Sequence, residues 1–156
     1  MEGVNPGKEP HWTNKFGIVI LIIEKMGEHR LHGGVRAMSK ILFADSEPHI
    51  RRLCLEELQE EGHEVAVVGN GAGVVRLMEA FNPDVVIMEV LLPDMSGVET
   101  GRIVKGTSKN TRVIFYSNCL PPRDLASLGA DAFVVKSHDL QRLKEAVRRL
   151  LPAQAA

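Results

Sequence analysis

The chain is short of the features that mark several classes of protein. Its 156 residues hold two cysteines, Cys54 and Cys119, without C-x-x-C spacing. No disulfide framework follows, and both read as free, buried thiols in a reducing compartment. Net charge is −1 at pH 7, with 19 basic and 20 acidic residues interspersed. A broad attraction to nucleic acid or anionic membrane is thereby excluded. The apolar run near the start, Phe16-Gly-Ile-Val-Ile-Leu-Ile-Ile23, falls well short of the roughly 20 residues that a bilayer span requires. A long polar stretch precedes it, and Glu24 and Lys25 follow where a signal peptide would place small residues. The six histidines show no metal-ligand spacing; His49 and His63 read as a helix-flank residue and a loop residue. These absences predict a cytoplasmic protein with neither nucleic-acid nor membrane partners.

What is present fits one domain with flanking segments, large enough to bury a core without staples. Residues 1–37 carry Gly3, Pro6, Gly7, Pro10, Gly33, Gly34 and the only tryptophan, Trp12. They read as an extension, either poorly ordered or contributing an extra strand. Met38-Ser-Lys-Ile-Leu leads directly into the first strand, so Met38 is also a candidate translation start. The domain proper is expected over 38–151. Residues 152–156 form a tail, and no output domain is expected after it.

Five apolar runs recur within the domain: Ile41-Leu-Phe-Ala44, Val65-Ala-Val-Val68, Val85-Val-Ile-Met88, Val113-Ile-Phe-Tyr116 and Phe133-Val-Val135. They are short, β-branched and non-alternating, as expected of strands buried on both faces of a parallel sheet. Helical patterns alternate with them. Ile50, Leu53, Cys54 and Leu58 share one face, as do Val74, Leu77, Met78 and Phe81, and then Leu140, Leu143, Val147, Leu150 and Leu151. Gly62 ends the first helix, and Pro83 follows the second. The helix after Gly97 has Val98, Ile103 and Val104 as its apolar residues. A shorter fourth helix is expected over Arg123 to Leu128, because Pro121-Pro122 prevents an earlier start. Five βα units give an α/β three-layer sandwich with a five-stranded parallel sheet. The expected strand order is 2-1-3-4-5, that of the flavodoxin-like group, for which ligands bind where the order switches between strands 1 and 3.

The strand ends that meet there carry chemistry. Asp45-Ser46-Glu47 follows the first strand, and Glu89-Val90-Leu91-Leu92-Pro93-Asp94-Met95-Ser96-Gly97 follows the third. Ser117-Asn118 closes the fourth, and Lys136-Ser137 the fifth. Acidic groups, a hydroxyl and an ammonium at one sheet edge suit phosphate and a divalent cation, since hard oxygens hold the metal while donors and a cation hold phosphoryl oxygens. Asp45 with Glu47 is also readable as the acid/base pair of a small α/β enzyme, although no nucleophile, base and oxyanion set accompanies it.

Four elements together resemble the receiver domain of bacterial response regulators over about 110 of the 156 residues. They are the Lys-Ile-Leu-Phe-Ala-Asp opening, the Leu-Leu-Pro-Asp-Met-Ser-Gly loop, Gly129-Ala-Asp-Ala-Phe133 and the lysine after the last strand. The resemblance implies a phosphoacceptor at position 89, and a magnesium site built from Asp45, Glu89 and the Leu91 backbone carbonyl. It also implies a phosphate-binding hydroxyl at Ser117, a phosphate-binding lysine at Lys136 and an aromatic switch at Phe133. Three residues depart from the pattern. Ser46 replaces the second acid of the metal-binding pair. Glu89 replaces the nucleophilic aspartate. Ser137 replaces the proline after the lysine, whose peptide is usually cis in the family.

Magnesium needs near-octahedral oxygen donors, so Ser46 predicts a weak or absent site and no cofactor unless the degenerate site still holds Mg2+. The additional methylene of Glu89 misplaces an in-line nucleophile and brings its carboxylate within reach of Lys136 and Ser117. The expected protein is therefore an atypical single-domain receiver of phosphorelay signalling. It would act through protein contacts, with little or no phosphorylation and with Glu89 paired to Lys136. A histidine kinase or another signalling protein is the implied partner. A homodimer through the face of the fourth helix, fifth strand and fifth helix is a further possibility, in a geometry altered by the short fourth helix. A phosphorylation-competent receiver with a relaxed metal site and the small α/β enzyme are the alternatives.

Overall fold

The runs that are β-branched and apolar on both faces become strands, and the amphipathic stretches between them become the covering helices. A computed structural model describes residues 18–19 and 38–151. Its elements are β1 (Ile18–Val19), β2 (Lys40–Ala44), α1 (Pro48–Glu60), β3 (Glu64–Val68), α2 (Gly71–Phe81), β4 (Val85–Met88) and α3 (Gly97–Thr107). β5 (Arg112–Ser117), a 3-10 turn (Ala126–Leu128), β6 (Ala132–Val135) and α4 (Gln141–Leu150) complete it. The sheet order is β1-β3-β2-β4-β5-β6. β2 to β6 are all parallel and stand in the predicted order 2-1-3-4-5 when counted by themselves. β1 is added antiparallel on the edge of β3, with Ile18 opposite Val68. The remaining residues of the expected extension, most of the segment that a start at Met38 would remove, lie outside the described residues, as does the tail.

Alternate strand residues feed two cores. Ile41, Phe43, Val65, Val67, Val85, Ile87, Ile114 and Tyr116 pack beneath α1 and α4. Leu42, Ala44, Ala66, Val68, Val86, Met88, Val113 and Phe115 pack beneath α2 and α3. Because both faces are covered, every residue of β4 is buried, which explains why the run shows no alternation.

Some expectations need correction. Leu53 is 40 % exposed, and Leu55 is buried in its place beside Cys54 and Leu58. The seam of α1 is centred on Cys54 and Leu58, and the helix is rotated so that its flanking apolar position is 55 rather than 53. Ile103 is also exposed. α3 instead seats Thr100, Gly101 and Val104 on the sheet, its small residues allowing a close approach to Phe115 and Val113. The expected fourth helix does not form: the segment has only the 3-10 turn Ala126–Leu128. Asp124 bonds the Ser127 amide at 3.2 Å and its carbonyl accepts from the Ser127 hydroxyl at 2.9 Å. Gly129 at φ +69° then turns the chain away, which leaves too few residues for α-helical bonds to propagate. Cys54 is buried, whereas Cys119 is half-buried rather than fully enclosed; both thiols are free.

Candidate functional site

The parallel register delivers the chemistry-bearing residues to one sheet edge, because β2 and β4 are neighbours with Ala44 opposite Met88. The chain then leaves β2 at Asp45 and β4 at Glu89. The Glu89 amide donates to the Ala44 carbonyl at 3.0 Å, extending the ladder by one step into the site. Asp45 is 1 % exposed. Its Oδ1 accepts the Glu47 amide at 2.9 Å, and its Oδ2 lies 2.6 Å from Lys136 Nζ. Arg51 fixes the turn from one helical turn later: Nη1 donates to the carbonyls of Asp45 at 2.6 Å and Ser46 at 3.0 Å.

Glu89 is bound at both oxygens. Oε1 accepts the Val90 amide at 2.7 Å and the Ser117 hydroxyl, and the Leu91 amide approaches it at 3.4 Å. Oε2 lies 2.7 Å from Lys136 Nζ. Ser117 Oγ also accepts the Cys119 amide at 3.2 Å, so its one proton is given to Glu89 while its oxygen holds the following loop. Lys136 enters through the β5–β6 ladder, its amide donating to the Ser117 carbonyl at 3.0 Å. Among the described residues every peptide bond is trans, Lys136–Ser137 included.

The loop between β4 and α3 is tied at two further points. A Cβ at Gly97 would run into the Glu89 carbonyl oxygen and stand 3.0 Å from Val90 Cα, so the return of the loop requires glycine. Asp94 spreads its carboxylate over the start of α2, accepting the amides of Gly71 and Ala72 at 2.8 Å each. These bonds hold its carboxyl below the ordinary range, outweighing the upward push of desolvation.

The electrostatics follow from the shared ammonium. Burial pushes the Glu89 carboxyl up, but the bonds from Lys136 and Ser117 prevail and hold it below its ordinary value. Burial pushes Lys136 down, and its two carboxylate partners more than restore it, leaving it above the ordinary lysine value. Glu89 and Lys136 are thus both charged throughout the neutral range, and the one ammonium bridges the carboxyl groups of Asp45 and Glu89.

Above it opens a shallow cavity of about 250 Å3, lined by Asp45, Ser46, Glu47, Glu89, Leu91, Ser117, Asn118, Cys119 and Lys136. All the predicted pocket residues therefore converge except Phe133, which packs half-buried against the core beneath α2 and α3. Glu47 and Ser46 are at the solvent side, and Glu47 pairs with His49 at 3.2 Å. Arg51, Tyr116 and Cys119 belong to the site but escaped sequence reasoning. Tyr116, the sole tyrosine and the neighbour of Ser117, carried the one available signal.

A doubly wound α/β sheet with an acidic and cationic cluster at its switch point defines a signal-receiving module of the flavodoxin-like group. The chain belongs to the response regulator receiver domain family, whose pattern matches residues 41–148. Sporulation initiation phosphotransferase F of Bacillus subtilis is 29 % identical over 119 residues, covering 74 % of this chain and 96 % of that protein. The regulatory protein AtoC of Escherichia coli is also 29 % identical, but the chain spans 26 % of its length. The response regulator TrrA of Thermotoga maritima, solved in complex with Mg2+ and BeF, is 39 % identical with a TM-score of 0.68. That match covers 73 % of this chain and all of TrrA. TrrA has also been solved in complex with the histidine kinase ThkA. The chain thus carries a receiver domain of two-component signalling, a family that signals rather than catalyses. Among the described residues no helix is long and apolar enough to cross a membrane.

The donor set suits magnesium poorly. The two carboxylates nearest the switch point both engage Lys136, and position 46 offers a hydroxyl in place of a carboxylate. Among the described residues no three His, Cys, Asp or Glu side chains converge to hold a metal ion. Hard divalent cations depend on free, charged oxygens, and here one oxygen of each carboxyl group already engages the ammonium.

Proposed function

We propose that this receiver is atypical: it acts through protein contacts, with little or no phosphoryl cycling, and Glu89 holds it in one state. The observation that carries this reading is the double engagement of Glu89. Ser117 and Lys136, the groups that the family resemblance assigns to phosphoryl oxygens, are both bound to its carboxylate, Lys136 at 2.7 Å. A carboxylate one methylene longer than aspartate lies where the transferred oxygens would lie. The resulting state resembles the phosphorylated one, Phe133 serves as the switch aromatic, and no Mg2+ is needed to maintain it.

The protein is assigned to the cytoplasm, with a histidine kinase or another signalling protein as its partner, as TrrA has ThkA. The face formed by the 3-10 turn, β6 and α4 is a candidate for partner or homodimer contacts. It lacks a full helix between β5 and β6, so its shape differs from that of a receiver with five helices.

Two measurements test the reading. Incubation with acetyl phosphate and magnesium, followed by intact mass, should add no phosphoryl group; an acyl phosphate at Glu89 or Asp45 would instead identify a working receiver with a relaxed metal site. A pull-down from native lysate should lose its partner on Glu89→Gln. Retention of the partner by that variant would show that the charge does not set the state.

A further inference from the structure

Lys136 is the hub of the site, and a lysine has the rotamer freedom to leave such a position unless something holds it. The loop that follows it is braced toward α4. The Ser137 hydroxyl donates to the Asp139 carbonyl at 2.5 Å, and Asp139 accepts the Gln141 amide at 2.9 Å.

The tie to the sheet comes from Tyr116. This residue is buried in β5 on the face beneath α1 and α4, and it pairs in register with Val134, two residues before Lys136. Lys136 Nζ lies over its ring, 5.9 Å from the centroid. Its hydroxyl donates to the Ser137 carbonyl at 3.4 Å. Phe43 of β2 backs the ring, with centroids 6.3 Å apart and planes at 58°. One side chain therefore stands against both Lys136 and the peptide after it, and a second aromatic packs against its ring.

We propose that Tyr116 is the positioning residue for Lys136, its ring holding the ammonium from below and its hydroxyl anchoring Ser137, so that Nζ stays between Asp45 and Glu89. The physical basis is twofold. An aromatic face attracts a cation within about 6 Å of its centroid, more strongly where water is excluded. Ser137 has no ring of its own to restrict its backbone, and an anchored carbonyl restricts it instead. Burial pushes the Tyr116 hydroxyl up from its ordinary value, so it remains a donor over the whole neutral range. The proposal rests on the reading that the Glu89–Lys136 pair sets the state.

The experiment follows the exchange of Lys136 Nζ protons with water by nitrogen-detected NMR in the full chain, alongside backbone amide exchange. Tyr116→Leu should accelerate Nζ exchange roughly tenfold, in line with loss of a desolvated cation–ring contact. Tyr116→Phe should restore most of that protection but leave the amides of residues 138 and 139 exchanging several-fold faster than in wild type. A folded Tyr116→Leu chain with wild-type Nζ exchange overturns the proposal. Should the leucine variant not fold, Tyr116→Phe decides alone, and unchanged loop amides overturn it. Glu89→Gln is run beside them: if Nζ exchange is unaffected there, the Glu89 lock fails, whereas the role of Tyr116 is judged from its own variants.

Discussion

Glu89 Oε2 and Lys136 Nζ stand 2.7 Å apart at the switch point of the sheet, and the same ammonium reaches Asp45 Oδ2 at 2.6 Å. One cation therefore bridges two carboxyl groups that parallel strand pairing brings together. Neither acid can leave, because each begins where a buried strand ends.

Lys136→Met should be the most damaging substitution in the site. It leaves Asp45, 1 % exposed, facing Glu89 without a counterion, and breaking a buried pair in this way costs about 3–5 kcal/mol. Glu89→Gln should cost less, since the amide still accepts from Ser117 and Asp45 retains the lysine. The double variant should be more stable than the sum of the two losses. Urea unfolding of all four proteins checks this, and additive losses would show that the two side chains do not interact.

The same pair sets the shape of the pH–stability curve. Glu89 has a folded value below its ordinary 4.5, so its contribution is complete above about 4.5 and is lost as pH falls through the folded value. Lys136 has a folded value above its ordinary 10.5, so its contribution is complete below about 10.5 and is lost as pH rises through the folded value. Stability attributable to the pair should therefore be flat from about pH 5 to 10. Glu89→Gln should flatten the acid limb, measured as denaturation midpoints from pH 3 to 6. Lys136→Met should flatten the alkaline limb.

How legible all this was in the sequence depended on how local the determinants were. Val85 to Met88 could be read as a central strand because burial on both faces removes alternation, a signal carried by four consecutive residues. The Glu89–Lys136 contact followed from one methylene of additional reach. The second half of the bridge did not: Asp45 shares the ammonium from a turn whose Asp45 and Ser46 carbonyls Arg51 grips, and no helical period marks an arginine as a loop clamp. The missing helix before β6 was equally opaque. Asp124 and Ser127 are ordinary helix-start residues, and only the early exit at Gly129 limits the segment to one turn.

Asp94 should act as a latch between the β4–α3 loop and α2. Replacing it with alanine leaves the Gly71 and Ala72 amides without their 2.8 Å acceptors, a capping loss of about 1 kcal/mol. Asn70 still caps Gly73 at 2.7 Å, so α2 itself should persist. The expected signature is faster amide exchange confined to residues 71, 72 and 90–96, with Asp94→Asn intermediate. A uniform rise across the domain would mean that the contact serves global stability instead.

The test of what the site has lost is to put it back. If Glu89 were the whole defect, Glu89→Asp alone should restore phosphorylation by acetyl phosphate, because it shortens the nucleophile by one methylene. The donor set argues otherwise: Ser46 still supplies no carboxylate, Asp45 still engages Lys136, and Glu47 lies at the solvent side of the cavity beside His49. Glu89→Asp is therefore expected to remain unphosphorylated in intact-mass measurements with magnesium. Ser46→Asp alone should fail for the opposite reason, since it adds a metal donor while Glu89 continues to occupy Ser117 and Lys136. Only the double variant, Ser46→Asp with Glu89→Asp, should gain a phosphoryl group, a carboxylate oxygen at position 89 bonding to phosphorus as acetate leaves. Ser46→Asp combined with Glu89→Ala removes that oxygen and should show no gain. Modification of the Glu89→Asp single variant would show that the metal position at Ser46 was never limiting.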